Sequence, residues 1–134
     1  MTIAFTDLQN EDNPRSGMLF DDPLRLRTLL AELASRREAG ACQFTHDNGS
    51  GLIVGVSPSL GFVQYTTGDA MPPYLMATAA SAVSARQDME FAIADTMTPI
   101  AGKYLIPIEL IAKVVEHFLV TGQRTAAVSW VEFE

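Results

Sequence analysis

The sequence predicts an α+β fold, a mostly antiparallel sheet with two main helices packed on one side. Two stretches, about 23–38 and 107–121, repeat apolar residues every three to four positions, the period of a helix with one buried face. Between them lie short β-type runs separated by Gly, Pro, Asn, Asp and Ser. The resulting order, β, α, several β, α, β, lacks the strict strand–helix alternation that a parallel sheet requires. At 134 residues, 48% apolar and 19% charged, the chain suits a single domain over 1–134 with its own core, its first twenty residues partly flexible.

Thr2 to Thr6 gives a weak strand signal, and Gln9 to Gly17, polar and carrying Pro14, reads as the link to the first helix. Asp21 or Asp22 can cap that helix, Pro23 suits a first position whose N–H would be unpaired anyway, and Gly40 is placed to end it. Leu26, Leu29, Leu30 and Leu33 form its apolar stripe, while Arg25, Arg27, Glu32, Arg36 and Glu38 take the remaining surface. Runs at Cys42–His46, Leu52–Val56 and Leu60–Thr66, broken at Asp47–Gly51 and Ser57–Ser59, predict an antiparallel meander. Tyr74–Thr78 is expected as a strand, although the type of the 70–86 segment stays open. Met89, Phe91 and Ile93 alternate with Asp88, Glu90 and Ala92 as in a half-buried strand. Ile108, Ile111, Val114, Val115, Phe118 and Leu119 line one face of the second helix, and Gly122 stands where a left-handed cap belongs. A last strand is expected from Arg124 to Trp130 or Glu132.

Few residues could carry chemistry. Cys42 and His46, four apart on a strand, face one way, but their Cα atoms are about 13 Å apart, too far to share a zinc ion. His117 lies on the polar side of the second helix with only Glu116 and Lys113 nearby. Gly49, Gly51 and Gly55 precede no helix whose N-terminus could hold a phosphate. No catalytic, cofactor or metal residue is therefore expected. No apolar run has membrane-spanning length and the start lacks a signal-peptide pattern, so a cytoplasmic location is expected, and the single cysteine agrees with a reducing compartment. Sixteen acids against nine bases, a net charge of −7, disfavour nucleic acid or anionic lipid as partner and favour a basic protein. Asp88 with Glu90, and Glu132 with Glu134, share strand faces; they read either as solvated surface or as contacts for a cationic partner. Trp130, the lone tryptophan, reads as core before interface.

The closing segment has a pattern of its own: Ala101-Gly102-Lys103-Tyr104-Leu105-Ile106-Pro107-Ile108, an apolar helix, Glu116-His117-Phe118-Leu119-Val120-Thr121-Gly122-Gln123-Arg124, and Val128-Ser129-Trp130-Val131-Glu132. It resembles immunity protein family 1 of bacterial polymorphic toxin systems, which closes with Ile-Pro opening a helix, Glu-x-Phe-Leu-x-Thr-Gly-x-Arg ending it, and Val-x-Trp on a final strand. Thr125 departs from the proline usual there. Upstream, Gly51–Tyr65 resembles the family only loosely. The resemblance implies a non-enzymatic protein that neutralises a cognate toxin, often a deaminase or another toxin acting on nucleic acid, in a tight one-to-one complex that occludes its active site.

An acidic inhibitor would be steered toward the basic groove of such a toxin. Asp69, Asp88 and Glu90, with Tyr74 as an aromatic anchor, are the candidate partner-binding residues. The alternative is a small acidic secretion chaperone, which would hold an unfolded segment and expose large apolar patches. An enzyme or ligand-binding module would instead need a deep pocket with strongly shifted acids.

Overall fold

The computed structural model describes residues 2–68, 74–79, 87–94 and 96–133. Its strands are β1 (Ile3–Asp7), β2 (Leu19–Phe20), β3 (Gly40–His46), β4 (Gly51–Val56), β5 (Leu60–Thr66), β6 (Leu75–Thr78), β7 (Met89–Ile93), β8 (Thr96–Ile100), β9 (Ile106–Pro107) and β10 (Ser129–Glu132). Helix α1 spans Pro23–Ala34 and α2 Ile108–Thr121. The sheet runs β10-β6-β5-β4-β3-β1-β2, every neighbour antiparallel. β9 adds to the start of β5, and the β7–β8 hairpin joins β3 through one parallel bridge, Gly40 to Ala92. The α+β class and antiparallel character are thus as expected.

Asp22 caps α1 by accepting the Leu24 N–H at 2.9 Å, and Leu26, Leu29, Leu30 and Leu33 are all buried. Each such leucine contributes about 2 kcal/mol at most, since the unfolded chain already hides some apolar area. The helix stops at Ala34, four residues short of the expected end. Ser35 turns the chain: its N–H reaches the carbonyls of Ala31 and Glu32 and its hydroxyl donates to Glu32 O at 2.7 Å. Arg36 then leaves the helical surface for Asp7, where its Nη2 sits 2.5 Å from Oδ2. Gly40, expected to end the helix, instead opens β3, where the Gln9 side chain fills the space a Cβ would need.

Alternate residues of the central strands feed two apolar clusters, as the strand period of two dictates. Cys42, Phe44, Leu52, Val54, Val63 and Tyr65 join the buried side chains of both helices, Leu26 to Leu33 and Ile111 to Leu119. Ala41, Phe62 and Met76 join Phe91, Ile100, Tyr104 and Leu105 from the β7–β8 side. This second cluster covers the face that a half-wet sheet would leave to water, and Phe62 meets Phe91 edge-on with centroids 4.9 Å apart. β8 was not foreseen, because Pro99 within a short run argues against a strand; at the outer edge of a hairpin its missing N–H costs no ladder bond.

The closing landmarks fall into place around α2. Pro107 precedes the helix as its cap residue, one position earlier than expected, and Phe118 and Leu119 are buried. Gly122 is left-handed (φ 69°), and its N–H donates to Phe118 O at 2.7 Å. A side chain there would strike Asn48 and come within 2.9 Å of the His46 ring, so the β3–β4 turn packs directly on the helix end. The last strand begins at Ser129, not Arg124. Thr125 makes a local turn, accepting Ala127 N–H through Oγ1 at 3.1 Å and the Trp130 indole N–H through its carbonyl at 2.9 Å.

Candidate partner-binding surface

The groups that could react are taken up by packing. Cys42 is fully enclosed; burial pushes its thiol far up, and the Asp7 carboxylate, partly countered by Arg36, adds to the effect. An enclosed thiol in this state is not a nucleophile. His46 is also buried, its Nδ1 accepting the Asn48 N–H at 3.1 Å and its ring meeting Phe118 with centroids 5.5 Å apart. His117 is half-buried on α2. Among the described residues no three His, Cys, Asp or Glu gather as a metal site, and no helix is long and apolar enough to cross a membrane.

Two of the candidate binding residues, Asp88 and Tyr74, lie near a short 3-10 turn, Gly102–Tyr104, that follows β8. Asp88, exposed just before β7, accepts the Gly102 N–H through Oδ1 at 3.1 Å. Tyr104 is buried beneath this turn; Lys103 Nζ lies 5.1 Å from its ring centroid, and Phe133 meets it edge-on at 5.6 Å. Phe133 in turn donates its N–H to the Tyr74 carbonyl at 2.8 Å, continuing the β10–β6 ladder. The structure thus places Asp88 and the Tyr74 backbone at two sides of one turn. Glu90 lies two residues along β7, exposed, opposite Pro99 of β8. Asp69, Asp95 and Glu134 lie outside the described residues.

Sequence reasoning missed Val131 and Phe133. Both remain more than two-fifths exposed at the end of the last strand, and Glu132 between them is also exposed. Trp130 points the other way, toward the core, edge-on to Tyr65 at 6.2 Å. The available signal was alternation: Trp130 marks the covered face, so Val131 and Phe133 had to share the opposite one.

Charge is unevenly spread. The helices α1 and α2 carry Arg25, Arg27 and Lys113 against Glu32, Glu109 and Glu116, so they balance, and the whole excess lies outside them. Among the described residues no strand carries Lys or Arg, and the charged strand residues are Asp7, Glu90 and Glu132. Asp7 is buried in a pair with Arg36, so Glu90 and Glu132 are the ones facing solvent. An open apolar groove does run between α1 and α2, lined by Leu30, Ala31, Ala34, Ile108 and Ala112 with Arg27 and Lys113 at its rim. It shares no residue with the surface around the 3-10 turn.

Compared with known proteins, the chain matches the family model of the immunity protein Imm1 over residues 20–132, so the likeness reaches far upstream of the closing segment. No curated protein matches it.

Proposed function

Because the chain belongs to the immunity protein Imm1 family, a family of toxin-neutralising immunity proteins, we propose that it neutralises one cognate bacterial toxin by forming a one-to-one complex in the cytoplasm that blocks the toxin's active site. The family match over residues 20–132 carries this reading. The toxin is basic and acts on nucleic acid, a deaminase being the first candidate. Such an enzyme must hold a polyanion in a cationic groove, and an acidic protein competes for that groove on the same electrostatic terms.

Both helices are assigned to one side of the sheet, and being balanced in charge they leave the approach of a cationic partner to the strands and loops. Asp88, Glu90 and Asp69 supply the acidic part of the contact, with Tyr74 as its aromatic anchor. Because these charges are exposed, they act mainly on the rate of association and its salt dependence. Binding without turnover requires no cofactor, and no acid or base in this chain is given a catalytic role.

The test is co-expression with the toxin encoded beside this gene, then affinity measurement at low and high salt. Survival of the producing cell, a one-to-one complex of nanomolar affinity or tighter, and weaker binding at high salt are expected. Reversing Asp88 and Glu90 together to lysine should slow association at least tenfold, each 1.4 kcal/mol of lost attraction being a factor of ten. Unchanged association in that variant would remove these two residues from the interface. Failure to bind or inactivate the toxin would remove the immunity reading.

A further inference from the structure

The last strand, β10, is an edge without the usual protection. Exposed edges are normally blunted by charged side chains, lysine above all, by proline, a bulge or extreme shortness. β2 at the opposite edge is two residues long, and β8 carries Pro99. β10 has no lysine, proline or bulge and is four residues long, its one charge being Glu132, and among the described residues it pairs with β6 alone.

The register shows which of its backbone groups are free to pair. Phe133 donates to the Tyr74 carbonyl, so Phe133 and Tyr74 are a hydrogen-bonded pair, and in an antiparallel ladder such pairs recur at every second residue. Val131 opposite Met76 and Ser129 opposite Thr78 therefore also bond inward, while the N–H and C=O of Trp130 and Glu132 point outward. The same strand shows Val131 and Phe133 on one face, 41% and 44% exposed. Main-chain donors and acceptors along a rim, with apolar side chains at alternate positions, are what an added strand uses.

We propose that the outer edge of β10 takes an extended, cationic segment of the partner toxin as an additional strand. This rests on the immunity reading and specifies where its contact begins. Charge selects the occupant: the one charged residue of β10 is Glu132, and among the described residues the strands hold no Lys or Arg. A second copy of this chain would bring the same Glu132 and the same net charge of −7 to the contact, whereas a strand bearing Lys or Arg would meet opposite charge. Side chains on its opposite face would lie along Val131 and Phe133.

The probe is the toxin encoded beside this gene, carried as an inactive variant. In the wild-type protein, amide exchange at Trp130 and Glu132 should slow at least tenfold on complex formation. Glu132→Pro removes one outward N–H while sparing the β6 ladder, a position where proline is tolerated. It should weaken binding about tenfold or more, with circular dichroism and the unfolding midpoint near wild type. Glu132→Gln, which keeps the backbone donor, should bind more tightly than Glu132→Pro and lose part of the salt dependence. If Glu132→Pro does not fold, the wild-type exchange measurement decides alone. Tight binding with unchanged exchange at both amides overturns the edge docking and leaves the immunity reading intact. Absence of binding by the wild-type protein overturns both. Protection of those amides in a self-associated dimer without toxin overturns the cationic occupant in favour of a second copy.

Discussion

Asp7→Asn isolates the buried ion pair with Arg36 that ties the start of the described chain to the end of α1. The Asp7 side chain is fully buried while Arg36 is 27% exposed. The carboxylate accepts from Arg36 Nη2 at 2.5 Å and Nη1 at 3.2 Å, from Asn13 Nδ2 at 2.8 Å, and from the backbone N–H groups of Gln9 and Asn10. An asparagine can keep one oxygen on the backbone donors, but its amide then faces the donors of Arg36 and Asn13. Breaking a buried pair costs about 3–5 kcal/mol; because Arg36 retains some water, the lower end, about 3 kcal/mol, is expected. For a domain of this size each kcal/mol is worth roughly 4 °C, so the melting temperature should fall by about 12 °C.

The pH dependence separates this mechanism from simple loss of packing. Burial alone would raise the Asp7 carboxyl, but Arg36, Asn13 and the Asn10 and Gln9 amides outweigh it and hold it below the ordinary 3.8. A carboxyl depressed in the folded state adds stability that is fully present above its unfolded value. That stability is lost as pH falls through the folded one. Urea unfolding of wild type and variant should therefore show the full gap at pH 7 and pH 5, narrowing below about pH 4. A gap under 1 kcal/mol at pH 7, or one unchanged at the lowest pH where both proteins fold, would refute the reasoning.

Three other substitutions or reactions probe separate parts of the structure. Gly122→Ala places a side chain at a left-handed position and against Asn48 and His46; a loss of about 2–3 kcal/mol in urea unfolding is expected, and a neutral result would mean the helix end moves freely. Phe91→Ala empties the centre of the second cluster and should cost about 3–5 kcal/mol, measured the same way; under 1 kcal/mol would show that the β7–β8 side contributes little to the fold. The Cys42 thiol should resist an alkylating reagent in the folded protein and react at once in denaturant, as mass spectrometry would record; rapid native labelling would contradict its enclosure.

What was legible in the sequence follows from period and punctuation. The leucines of α1, the apolar face of α2 and the meander of β3 to β5 each repeat a local rule, and their places came out within a few residues. The errors occurred where a distant partner decides. α1 ends early because Ser35 caps it locally and Arg36 answers Asp7, 29 residues away. β9 exists because Ile106 and Pro107 lie beside Leu60 and Gly61, and two residues carry no period to detect. The acidic pair Asp88 and Glu90 was visible as alternation, but the bond from Gly102 to Asp88 and the exposure of Val131 and Phe133 depend on how β10, β6 and the 3-10 turn converge.

The meander also has a kinetic consequence. Four residues separate β3 from β4 and three separate β4 from β5, so these strands can meet after closing very short loops. β1 reaches β3 only across α1, and β10 reaches β6 only after α2 has turned back at Gly122. Topology therefore favours a nucleus in residues 40–66, with the first and last strands recruited late. Changes within the two tight turns should then slow folding, whereas changes in β10 should chiefly hasten unfolding.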